Sequence, residues 1–149
     1  MPAPTSRCPV PHMQAGVDRY LKHGVPPGDF LTALFSNDLK MAFGKADEAN
    51  TAAMREWIGF MDNDMPSTSQ GSLVAVRAWI ARFAAIRRMA LAVISLTDEH
   101  GTCTEAALIR QGFTADQVAD LHEAACERAG LMCHGVPFVV VRAGLEGMA

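Results

Sequence analysis

His23 to Asn50 reads HGVPPGDFLTALFSNDLKMAFGKADEAN, a span crowded with helix punctuation. Pro26-Pro27-Gly28 must break any preceding helix, because two prolines in succession remove backbone donors and glycine disfavours continuation. Asp29 can then cap a short helix over FLTALF. Ser36, Asn37 and Asp38 can each end that helix or cap the next, LKMAFGKA. Asp47 can start a third, longer helix through EANTAAMREWIGFMDND. Acids at helix starts also face the positive ends of the helix dipoles. The stretch therefore reads as several short helices folded back on one another, and it sets the fold class as all-α.

The pattern holds on both sides of it. Upstream, Met13, Val17, Tyr20 and Leu21 fall on one face of a helix over residues 13–23, and residues 1–12 read as a flexible tail. In the third helix Ala53, Met54, Trp57, Ile58 and Met61 form an apolar stripe. After the turn-rich MPSTSQGS, Ser72 can cap the longest helix, LVAVRAWIARFAAIRRMALAVISL. In that helix Val76, Ile80, Phe83, Ile86 or Arg87, Ala90 and Val93 recur every three to four residues, and Trp79, Met89 and Ile94 widen the stripe. Two capping-box pairs follow, Thr102 with Glu105 and Thr114 with Gln117, and Gly130 supplies a stop. They predict a helical hairpin. The run Val136 to Val141 is β-like with no sequence partner, so it packs as an extended segment or pairs across a homodimer.

The expected organisation is one helical domain of five to seven helices over 13–149, with a possible short C-terminal strand. It comprises a part over 13–97, the hairpin over 98–130 and an extended tail over 131–149. Half of the 149 residues are hydrophobic and 19% are charged, enough apolar material for a core. Plentiful alanine and methionine with few aromatics suits helices. The net charge of −3 gives no pull towards nucleic acid or an anionic membrane. The N-terminus lacks the apolar segment of a signal peptide, and no apolar run is long enough to span a bilayer. The expected location is the bacterial cytoplasm, with Cys8, Cys103, Cys126 and Cys133 reduced.

Residues 17–81 resemble a group of small proteins from phages and prophages of proteobacteria. The likeness rests on Tyr20, His23-Gly24-Val25-Pro26-Pro27-Gly28, Phe30-Leu31, Asn37-Asp38-Leu39, Lys45-Ala46-Asp47, Asn50, Asn63-Asp64-Met65-Pro66 and Gly71-Ser72. It departs from that pattern at Gln70, where an aromatic would stand. The resemblance implies a mobile-element origin and no particular chemistry. Proteins of that origin often bind host or phage proteins, including host defence complexes of the CRISPR type. Residues 87–118 have a second likeness, to the helices of the alkyl-hydroperoxidase-D and carboxymuconolactone-decarboxylase family. The family's C-x-x-C-x-x-x-H positions here hold His100, Cys103 and Ala107. Two of the three redox positions are missing, so that family's disulfide chemistry cannot run as such.

Several constellations remain as candidate sites. Cys103 near His100, at a predicted helix start, is the candidate for a thiol or peroxidase-like enzyme, since a helix N-terminus lowers a thiol pKa. His122 and Cys126, four apart on one helix face, with Cys133 and His134 beyond Gly130, could supply four ligands to a zinc-stabilised helical module. Cys8 and His12 repeat the spacing in the tail. No paired C-x-x-C accompanies any of them, so no metal or other cofactor is implied. The reading helix of a DNA-binding hairpin over 103–129 would carry Asp116, Asp120, Glu123 and Glu127 against a single Arg128, and phosphates would repel it. The basic feature is Arg77, Arg82, Arg87 and Arg88 on the long helix, a candidate partner-binding skirt. The reading this favours is a non-enzymatic protein that binds a host or phage protein, with inhibition of a host defence complex as its expected role.

Overall fold

Every short helix expected between His23 and Asn50 forms in the computed structural model, which describes residues 7–142. The fold is all-α. Among the described residues there are eight α-helices and one two-stranded parallel sheet. The described residues gather into two compact units that divide between Phe83 and Ala84.

In the first unit a 3-10 turn, Pro11–Met13, leads into α1, Gln14–His23. Arg7 to His12, read as part of a tail, includes Cys8 and Val10, both buried in this unit's core, while residues 1–6 lie outside the described residues. Gly24 ends α1 in the left-handed conformation (φ 62°), and a side chain there would run into the Phe83 ring. The Val25 N–H reaches back to the Arg19 carbonyl at 3.2 Å and the Gly24 N–H to that of Tyr20 at 3.0 Å, closing the helix end. The helices α2, Asp29–Phe35, and α3, Leu39–Lys45, follow.

The third expected helix is divided at Ala53 into α4, Glu48–Ala52, and α5, Met54–Asp64, which raises the helix count above seven. Restarting at Met54 puts Met54, Trp57, Phe60 and Met61 inward and leaves Ile58 exposed, a change from the expected stripe. Asn50 is buried because its side-chain oxygen accepts from the Trp57 indole at 3.1 Å. Ser72 caps α6, Leu73–His100, by accepting from the Ala75 N–H at 3.0 Å. Gln70, standing where an aromatic was expected, donates its amide to the Met61 carbonyl at 2.8 Å.

The second unit begins within α6 and adds β1, Cys103–Thr104, α7, Glu105–Arg110, α8, Ala115–Met132, and β2, Val140–Val141. Its core joins Met89, Ala90 and Val93 of α6 to Leu108, Val118, Ala125 and Ala129. The cap of α7 is Thr104, which accepts from the Ala107 N–H at 3.1 Å, and Thr102 is not the cap. Residues 103–104 are extended because they pair in parallel with Val140–Val141, the in-chain partner that the sequence did not reveal. At Thr114 the capping box forms as expected, with reciprocal bonds to Gln117 of 3.1 and 2.9 Å. Gly130 does not stop α8, which runs on to Met132. The chain turns instead at His134 and Gly135, both at positive φ.

Candidate protein-docking face

α2 and α3 are consecutive seven-residue helices with opposite fates. The Thr32 hydroxyl fixes the start of α2 by donating to the Pro27 carbonyl at 3.1 Å. Asp29, expected to be its cap, lies inside the first turn, and Gly28 holds the cap position with no side-chain bond. Phe30, Leu31, Ala33, Leu34 and Phe35 are all buried. Phe35 stacks on Tyr20 with ring centroids 5.3 Å apart, and Phe30 meets Trp57 edge-on at 5.9 Å. Burial pushes the Tyr20 phenol up to about 12, and its hydroxyl donates to the Ser69 carbonyl at 2.6 Å.

The chain reverses at Asn37 (φ 61°), where the Asp38 N–H bonds the Ala33 carbonyl at 2.9 Å. Asp38 then caps α3, accepting from the Met41 N–H at 3.1 Å. Asp47 does the same for α4 through the Asn50 N–H at 2.7 Å. That bond, with the His12 ring nitrogen 3.0 Å away, holds the Asp47 carboxyl below its ordinary value. Asp38 and Asp47 are therefore both occupied with local structure.

α3 buries only Ala42. Leu39 is 58% exposed, Met41 49% and Phe43 46%. Leu39 and Phe43, four apart, share one flank, and Met41 and Lys45 share the other. On the Met41 side a cavity of about 470 Å³ opens beside Ala33 and Leu73. Leu73 is 42% exposed and Val74, next to it at the start of α6, is 78% exposed. Scattered exposed apolar residues are ordinary, but three of the seven residues of α3 are large, apolar and exposed, with Leu73 and Val74 exposed at the start of α6, and exposed apolar surface of this kind marks contact sites.

The other candidates lie elsewhere. Arg77, Arg82, Arg87 and Arg88 are exposed on α6, with the first two in the first unit and the last two in the second. Arg88 sits over the Phe113 ring at 5.7 Å, and Arg82 and Arg87 each have a partner. Cys103 is buried in β1, not poised at a helix start, and burial, reinforced by the neighbouring Cys126, pushes its thiol up to about 11. That is the opposite direction from an activated nucleophile. His100 is exposed at the end of α6, 3.7 Å from the Glu99 carboxylate. Burial also raises the Cys126 thiol, although the Val140 backbone bonds its sulfur. Among the described residues no three His, Cys, Asp or Glu side chains come together to hold a metal ion, so His122, Cys126, Cys133 and His134 are not assembled as a ligand set. Nor, among those residues, is any helix long and apolar enough to cross a membrane.

The α3 face is the feature that sequence reasoning missed. LKMAF is apolar at four of its five positions, which favours burial, yet Ala42 alone among them is buried. No family model matches the chain, and no curated protein or solved structure matches it significantly.

Proposed function

We propose that this chain is a non-enzymatic accessory protein of phage or prophage type that acts by binding another protein in the bacterial cytoplasm, with a host defence complex of the CRISPR type as its target. The observation that carries the binding role is α3, whose Leu39, Met41 and Phe43 are exposed while every apolar residue of the adjacent α2 is buried. The residues behind the phage-type resemblance support the same division of labour. Tyr20, Asp38, Asp47 and Asn50 are engaged in the bonds of the first unit, whereas Leu39 is left outward. Exposed large side chains of this type supply the anchors of protein interfaces. Arg77, exposed on α6 of the same unit, adds a cation for an acidic rim on the partner.

The test is expression of the tagged full-length chain in a related bacterium and identification of what co-purifies. The expected result is one stoichiometric complex that Leu39→Ser/Phe43→Ser abolishes and Arg77→Glu weakens. A protein that purifies alone, or a complex that the double serine variant retains, would defeat the proposal.

A further inference from the structure

The cavity beside α3 has a mixed lining with a definite chemistry. Ala33, Met41 and Leu73 give it apolar walls, and Asp29 and Asp38 bring two carboxylates. Ser36 also lines it, and its hydroxyl is shut off from water with no hydrogen-bond partner among the described residues. The only cation in the lining is Lys45, 3.9 Å from the Asp29 carboxylate, so the lining retains one net negative charge. The Asp38 carboxylate spends one oxygen on the Met41 N–H and keeps the other.

We infer that this cavity is a socket for an arginine side chain presented by the partner protein, an inference that rests on the protein-binding reading above. An arginine matches the lining part by part. Its three-carbon stem needs apolar walls, and its planar guanidinium carries five donors and no acceptor. Two carboxylates are the acceptors such a fork takes, and charged acceptors make the stronger bonds. A lysine fills the site less well, because its ammonium is compact, strongly hydrated and without the planar fork. A phosphate or an anionic lipid headgroup would meet the carboxylates and be repelled. Arginine is also among the residue types most often found to anchor protein interfaces.

The experiment titrates the full-length protein, followed by NMR of the backbone amides, with N-acetyl-arginine-N-methylamide, with its norleucine analogue and with its lysine analogue at low salt. The expected result is shifts at Ser36, Met41 and Leu73, with the arginine probe binding about fivefold or more tighter than either analogue. Asp29→Asn/Asp38→Asn should erase that preference. Asparagine still caps a helix, so α3 persists in this variant and the loss reports charge. Equal binding of the arginine and norleucine probes, or a preference unmoved in the double asparagine variant, would overturn the socket. So would a concentration-dependent dimer that protects the same amides, since the occupant would then be a second copy. A captured partner with no arginine preference would remove the socket and leave the protein-binding reading standing. An arginine preference in a protein that captures no partner would do the reverse.

Discussion

α2 and α3 have the same length, are joined by three residues and have similar composition, yet one is the centre of a core and the other is mostly outside it. DFLTALF places Phe30, Leu31, Ala33, Leu34 and Phe35 against α1, α5 and one another, while LKMAFGK sends only Ala42 inward. The difference teaches that apolar content does not decide burial. What decides it is which stripe of the helix finds a neighbour. α2 has aromatic rings to meet on two sides, Tyr20 and Trp57. α3 rests on a single alanine and leaves both flanks to water, a costly arrangement unless something else covers them.

The sharpest way to break this comparison is to truncate both helices and measure unfolding in urea. Phe35→Ala should cost about 3–5 kcal/mol, because it removes a buried ring and leaves a void against Tyr20. If it costs under about 1 kcal/mol, α2 is not the keystone of its unit.

Titration of stability at high pH probes the dryness of the same region. The Tyr20 phenol sits at about 12 in the folded protein against a reference value of 10.0. Its folded value is raised, so this contribution is intact below pH 10 and is lost as pH climbs towards 12. The loss should reach about 2–3 kcal/mol, and Tyr20→Phe should flatten the profile between those limits. A wild-type profile as flat as the variant's would show that water reaches the α2 side of the core.

At α3 a cap substitution separates local from tertiary control. Asp38→Ala should lower stability by about 1 kcal/mol, and Asp38→Asn should leave it nearly unchanged, as read from denaturation midpoints. Equal losses would mean that charge rather than capping holds Asp38 in place.

The smallest stability effect belongs to the outward flank. Leu39→Ser/Phe43→Ser should shift unfolding by no more than about 0.5 kcal/mol, while removing partner capture altogether. A large destabilisation would place these side chains in the fold and end their role as a docking face.

Much of the local architecture was legible beforehand. Asp38, Asp47, Ser72 and Thr114 cap the helices expected of them, because a cap is a bond between a side chain and an N–H three residues on. Where two residues competed for the role, the sequence misled. Gly28 displaced Asp29, and Thr104 displaced Thr102 once residues 103–104 were drawn into the sheet. Cys103 shows the same limit. Its place near a helix start suggested an acidic thiol, but the pairing with Val140, 37 positions away, buries it and drives the thiol the other way.

The sequence alone determined the helical class, the positions of most turns and the Thr114 box, since each depends on contacts within one turn of chain. Only the tertiary structure decided that the helix after Asp47 breaks at Ala53, that Val140–Val141 pairs with Cys103–Thr104, and that Leu39, Met41 and Phe43 face out. Burial and long-range pairing depend on which surfaces meet, and residues distant along the chain, not local propensity, fix those meetings.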